Sequence, residues 1–72
     1  MEECWVVICH WVYLDEDEVK GVFRDKNKAI EYAKKIAEEE EEEISKIKKL
    51  ADNRIMIDLG ESWIEIVKTY LY

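Results

Sequence analysis

Two cysteines and one histidine near the start of the chain have the greatest potential for chemistry. Cys9 and His10 are adjacent, and a thiol beside an imidazole could provide a nucleophile and its general base. Neighbouring residues of a strand point to opposite faces, so a strand here would separate the two side chains. Cys4 and Cys9 are five residues apart, and that odd spacing also disfavours a disulfide or a shared metal. The sequence therefore predicts no catalytic residues, no metal site and two free thiols, which favour a reducing, intracellular setting.

Sequence motifs for nucleotide or ester chemistry are missing. The chain has no G-x-x-x-x-G-K, G-x-G-x-x-G or G-x-S-x-G pattern. The acidic stretch at residues 15–18 lacks the glycine and the distal glutamate of a calcium-binding loop. We therefore expect a protein that is not an enzyme and needs no cofactor.

Acidic side chains dominate the surface chemistry that the sequence predicts. The net charge is -7, and six consecutive glutamates occupy residues 38–43. One interpretation is a surface that imitates a row of phosphates and binds a basic protein partner. The alternative is a solvated surface that keeps a small apolar protein soluble. The candidate partner-binding residues are Glu38, Glu39, Glu41, Glu42, Glu43, Asp15, Glu16, Asp17 and Glu18.

Hydrophobic patterning predicts the elements that carry these residues. Strands are expected at residues 4–13, 19–23, 55–59 and 63–72, and the first two flank an acidic hairpin loop. Asp25 is a good N-cap for a helix that begins near Lys26, and apolar residues spaced by three and four extend it for about 25 residues. Whether that helix is continuous through residues 38–43 is left open. The prediction is a single α+β domain over residues 1–72, with a ββαββ element order and a four-stranded sheet in the order 2-1-4-3.

Both faces of the first predicted strand are apolar, although one helix can cover only one face of a sheet. An ordinary half-solvated antiparallel sheet has one polar face. We therefore expect a homodimer, with the candidate self-association residues Trp5, Trp11, Tyr13, Ile44 and Ile47. The three aromatic residues could instead stack on single-stranded bases, but the acidic charge favours core or interface packing over direct nucleic-acid binding.

Two resemblances bear on the fold. The run Trp5-Val6-Val7, the acidic loop and the junction from Gly21 through Arg24-Asp25 to Ala33 resemble short uncharacterised bacterial and phage β-hairpin–helix proteins. That resemblance implies a strand-to-helix junction and no function. A looser likeness in size, charge and topology is to small acidic viral inhibitors of host defence with ββαββ topology, and no residue role is carried over from it.

These observations predict a small acidic protein-binding protein in the cytoplasm, or in the host cytoplasm if the chain is viral. Its sharpest form is a phage- or virus-encoded inhibitor that presents its acidic helix surface to a nucleic-acid-binding defence complex. The alternatives are an accessory or structural protein whose acidity serves solubility, and a small-ligand binder that uses the aromatic sheet face. Expected partners are a second copy of the chain and a basic host protein, without direct nucleic-acid or membrane binding.

Overall fold

One helix and one antiparallel sheet form the fold in a computed structural model, which describes residues 2–71. The elements are β1 (Glu2–His10), β2 (Glu18–Phe23), α1 (Lys26–Glu39), β3 (Lys46–Ala51), β4 (Arg54–Asp58) and β5 (Trp63–Leu71). The α+β class with a single helix is confirmed. The strand count of four is wrong, and the predicted order 2-1-4-3 becomes β2-β1-β5-β4-β3, because an extra strand joins the edge beside β4. The predicted last strand extends to Tyr72, which lies outside the described residues.

The predicted long helix is wrong in its second half. Helix α1 begins where expected, and the Asp25 side chain accepts a hydrogen bond of 2.8 Å from the backbone N–H of Asn27. It ends at Glu39, however, and the chain re-enters the sheet as β3. Consecutive carboxylates repel one another and also oppose the negative end of the helix dipole, so the glutamate run is a poor helix C-terminus.

The core lies between one face of the sheet and α1. The helix contributes small residues at Ala29, Ala33 and Ala37, which allow its backbone to approach the sheet closely. The fully buried side chains of the sheet include Val7, Cys9, Ile57, Ile64 and Ile66. The helix packs mainly against β1, β2 and β5, so it lies over that side of the sheet.

Gly21 lets the helix pack against β2. A Cβ atom at this position would lie 3.0 Å from the ring of Phe23 and 3.2 Å from the ring of Tyr32. Those two rings pack against each other, with centroids 5.0 Å apart. The register of β2 against β1 also shifts beside this glycine, between Val7 and Ile8.

The opposite face of the sheet has no helix over it. Val22, Val6 and Val67 lie in a row across β2, β1 and β5. Val22 and Val19 are largely exposed, whereas Val6, Ile8 and Val67 are half-buried. One face of the sheet is thus a packed core, and the other carries aliphatic side chains at the surface.

Candidate functional site

The acidic hairpin loop between β1 and β2 is anchored by side chains from the end of β1. The loop curls around an open depression lined by Leu14 and residues 15–18. Trp11 donates its indole N–H to a carboxylate oxygen of Glu18 at 2.7 Å. His10 Nδ1 lies 2.7 Å from a carboxylate oxygen of Asp17. Two of the four carboxylates are therefore held in place, and Asp15 and Glu16 are left exposed to solvent.

The glutamate run turns sharply at the end of α1. Glu41 has a φ of 57°, in the left-handed region that L-residues rarely occupy. Its N–H donates to the carbonyl of Glu38, and the N–H of Glu42 donates to the carbonyl of Ala37. This pair of bonds is the Schellman arrangement that closes a helix, usually with glycine where Glu41 stands. The run is therefore split between the last helical turn and the segment that leads into β3.

Charges from both acidic segments act on Tyr13. Partial desolvation and the carboxylates of Glu40, Glu18 and Glu42 raise the pKa of Tyr13 above its ordinary value. The same influence reaches Cys9, where burial, opposed by Lys20 and assisted by Glu18 and Glu40, raises the pKa to about 11. We call residues 15–18 together with residues 38–43 the acidic pole. It comprises ten of the eighteen acidic residues of the chain.

Glu40 is the residue of the pole that sequence reasoning missed. A continuous helix would place Glu40 among the regularly spaced apolar positions, so the candidate partner-binding residues do not include it. In the structure Glu40 is the helix C-cap and is exposed, and its charge acts on both Tyr13 and Cys9. The glutamate run itself is the signal that could have identified Glu40, because the run ends the helix before the apolar spacing continues.

The candidate self-association residues do not share one surface. Trp5 and Trp11 lie in the core under α1, at 7% and 4% exposure, so in this fold they cannot form an interface. Ile44 is half-buried and packs against the same core. Tyr13 is 65% exposed at the acidic pole, stacked on Trp11 with centroids 6.0 Å apart, and Ile47 is 46% exposed on β3. The sequence pattern assigns these two indoles to an interface, whereas the uncovered face carries aliphatic side chains and the ring of Trp63.

His10 forms a polar cluster on the uncovered face. Its Nδ1 faces Asp17, and its Nε2 lies 3.2 Å from Glu65, although the contact is too bent to be a hydrogen bond. Glu65 also lies 3.4 Å from the guanidinium of Arg54, and the ring of Trp63 stacks on the imidazole at 4.8 Å. Both ring nitrogens face carboxylates, so neither is free to act on the Cys9 thiol, which lies buried on the opposite face. The predicted separation of Cys9 and His10 is confirmed.

Within residues 2–71, no group of three or more histidine, cysteine or acidic side chains is arranged to hold a metal ion. Over the same part of the chain, no helix is both long and apolar enough to span a bilayer. Comparisons with protein families, with curated proteins and with solved structures found no match.

Proposed function

We propose that this chain is a non-enzymatic protein-binding protein whose acidic pole occupies a basic groove on a partner. The observation that carries the proposal is the turn at Glu41 within the exposed glutamate run, and the pKa of the exposed Tyr13, raised by carboxylates of both acidic segments, supports it. Solubility alone requires charge anywhere on the surface. Concentrating like charges at one end costs electrostatic free energy, and a complementary basic surface would recover it.

The geometry of the pole suits a groove rather than a flat surface. The turn at Glu41 points the following residues away from the helix axis, so carboxylates are presented in several directions. Tyr13 adds an amphipathic ring among them, and tyrosine is enriched at protein interfaces. The narrower form of the proposal is that the groove normally holds nucleic acid, as in a host defence complex that a phage or virus would inhibit.

Two variants with matched charge test the pole. Glu16→Lys with Glu42→Lys changes the pole, and Glu31→Lys with Glu61→Lys makes the same charge change at exposed positions elsewhere. Each surface charge contributes roughly 0.2–1 kcal/mol, so two reversals should weaken binding about 2- to 30-fold. The partner is first captured from host lysate on the immobilised protein, then purified, and its affinity is measured by calorimetry for each variant.

The expected result is weaker binding for the pole variant alone, with nucleic acid competing for the same partner. Equal loss of affinity in both variants would contradict a specific role for the pole, because binding would then depend only on the overall acidity of the protein. Competition by nucleic acid tests the narrower form of the proposal. If the protein binds the partner away from the nucleic-acid groove, nucleic acid will not displace it.

We further propose that the protein forms a homodimer through the uncovered sheet face. Exposed valines lie across β2, and the charges beside them are paired within the polar cluster of His10, Asp17, Glu65 and Arg54. A second copy can therefore approach this face over aliphatic side chains and paired charges. The aromatic ligand-binding alternative has less support, because Trp5 and Trp11 are buried in the core.

Light scattering over a range of concentrations measures the association. Val22→Lys should shift the protein to the monomer mass, whereas Leu14→Lys, a similarly exposed apolar position at the pole, should leave the dimer intact. A monomer mass for the unchanged protein at high concentration would contradict the dimer.

A further inference from the structure

The edge strand β3 differs from every other strand in its exposure. All six of its residues are exposed, and it pairs with β4 on one side only. Its other side therefore presents backbone N–H and C=O groups that no strand of the sheet occupies. Ile47 and Leu50 are each almost half exposed on this strand.

The charge of β3 is opposite to that of the chain as a whole. Lys46, Lys48 and Lys49 bring three of the eleven basic residues into four consecutive positions. Lys49 lies 3.4 Å from Asp52 in the turn that follows. Lys46 and Lys48 extend from the same face of the strand, and neither has an ion-pair partner among residues 2–71. An approaching segment would meet free ammonium groups along an open edge.

The other edge of the sheet is protected. The pairing of β2 with β1 shifts in register between Val7 and Ile8, and such an irregularity bends an edge away from further pairing. The hydroxyl of Tyr32 also donates to the carbonyl of Lys20 at 3.2 Å. The sheet is thus closed at β2 and open along Lys46–Lys49 of β3.

We propose that β3 is a docking edge for an extended acidic segment of a partner protein, which adds to the sheet as a sixth strand. Backbone hydrogen bonds would hold the segment, and Lys46 and Lys48 would select for glutamate or aspartate in it. Pairing with the β3 strand of a second copy is disfavoured, because lysines would lie opposite lysines. Binding of nucleic acid would use the lysines but leave the backbone edge unused.

The probe is a fluorescein-labelled octapeptide that alternates valine and glutamate, with binding followed by fluorescence anisotropy. A second peptide carries N-methyl groups on every backbone amide, which removes the donors of both of its edges and keeps the charge. A labelled single-stranded DNA octamer tests for simple anion binding. The protein variants are Lys46→Glu with Lys48→Glu, and, as a charge-matched control on α1, Lys28→Glu with Lys34→Glu.

We expect saturable binding of the acidic peptide to the unchanged protein, at least about tenfold weaker for the β3 variant and within about twofold for the helix variant. The methylated peptide and the oligonucleotide should bind at least about tenfold more weakly than the acidic peptide. Circular dichroism establishes that both variants fold. In amide hydrogen exchange on the unchanged protein, the peptide should protect those amides of residues 46–49 that point away from β4.

Equal loss in the two variants would overturn the proposal, as would equal binding of the methylated peptide or of the DNA. Protection confined to residues outside β3 would also overturn it. The acidic-pole variant Glu16→Lys with Glu42→Lys should retain peptide binding, so this result does not depend on the function proposed for the pole.

Discussion

Replacing Glu41 by glycine should stabilise the protein. Glu41 has a φ of 57°, and an L-residue in left-handed backbone costs roughly 1–2 kcal/mol, because its Cβ crowds the following carbonyl. Glycine avoids that cost but loses more backbone entropy on folding, by roughly 0.5–1 kcal/mol. The net gain in the free energy of unfolding is therefore about 0.5–1 kcal/mol, which would raise the melting temperature by roughly 2–8 °C in a domain of this size.

Urea unfolding followed by tryptophan fluorescence measures this gain, with an unchanged dependence on denaturant as evidence that the folded state is preserved. Glu41→Gln removes the same charge but keeps the Cβ atom, so it should change stability by less than about 0.5 kcal/mol. Glu40→Gly provides the opposite control. Glu40 has a φ of -86°, where glycine relieves no strain, so this variant should lose about 0.5–1 kcal/mol.

The sign of the Glu41→Gly effect separates two conformations of the glutamate run. In a helix that continued through residues 38–43, glycine would destabilise position 41 by about 1 kcal/mol, as in any helix interior. Destabilisation equal to that of Glu40→Gly would therefore refute the turn at the end of α1 and the start of β3 that depends on it.

Three further perturbations test the core and the helix start. Gly21→Ala should destabilise the protein by about 1–3 kcal/mol in urea unfolding, because the new methyl would meet the rings of Phe23 and Tyr32. Asp25→Ala should lose about 1 kcal/mol by the same assay, because the first turn of α1 loses its cap, and Asp25→Asn should restore most of that loss. Cys9 should resist thiol reagents in the folded protein below about pH 9, because burial raises its pKa from 9.0 to about 11. Since the unfolded thiol ionises first, the free energy of unfolding should fall as the pH rises from 9.0 to about 11, and Cys9→Ala should weaken that fall.

Local signals in the sequence predicted the first half of the fold well. The β-branched and aromatic run of β1, the acidic loop and the cap at Asp25 each act within a few residues, and the structure contains all three. Alternating apolar residues also identified β4 and β5. These elements depend on patterns that a single strand or helix satisfies by itself.

The predicted helix is wrong in the region where the local apolar spacing and the long-range pairing of strands disagree. Ile44, Ile47 and Leu50 are spaced by three, as on a helix, and that spacing extended the predicted helix beyond the glutamates. In the structure Ile47 lies opposite Ile57 in the pairing of β3 with β4, and that partner is not visible in the spacing. The glutamate run predicts an exposed surface, and its negative charge also makes it a poor C-terminus for a helix.

The candidate site was predicted in composition but not in arrangement. Both acidic segments are identifiable from the sequence, whereas their position relative to each other depends on the length of α1. A helix of about 25 residues would have carried Glu42 and Glu43 along a rod, away from Tyr13. The assignment of Trp5 and Trp11 to an interface failed for a related reason, because alternation defines two faces without showing which one the helix covers.

The meeting of the two acidic segments is the central claim, and the titration of Tyr13 tests it most directly. Ring signals of Tyr13 are followed by nuclear magnetic resonance as the pH rises, in the unchanged protein, in Glu40→Gln with Glu42→Gln, and in Glu31→Gln as a control. Neutralising Glu40 and Glu42 should lower the pKa of Tyr13 toward its ordinary value of 10.0, while the control leaves it unchanged. The same Tyr13 pKa in all three proteins would place the glutamate run away from the hairpin loop and contradict the acidic pole.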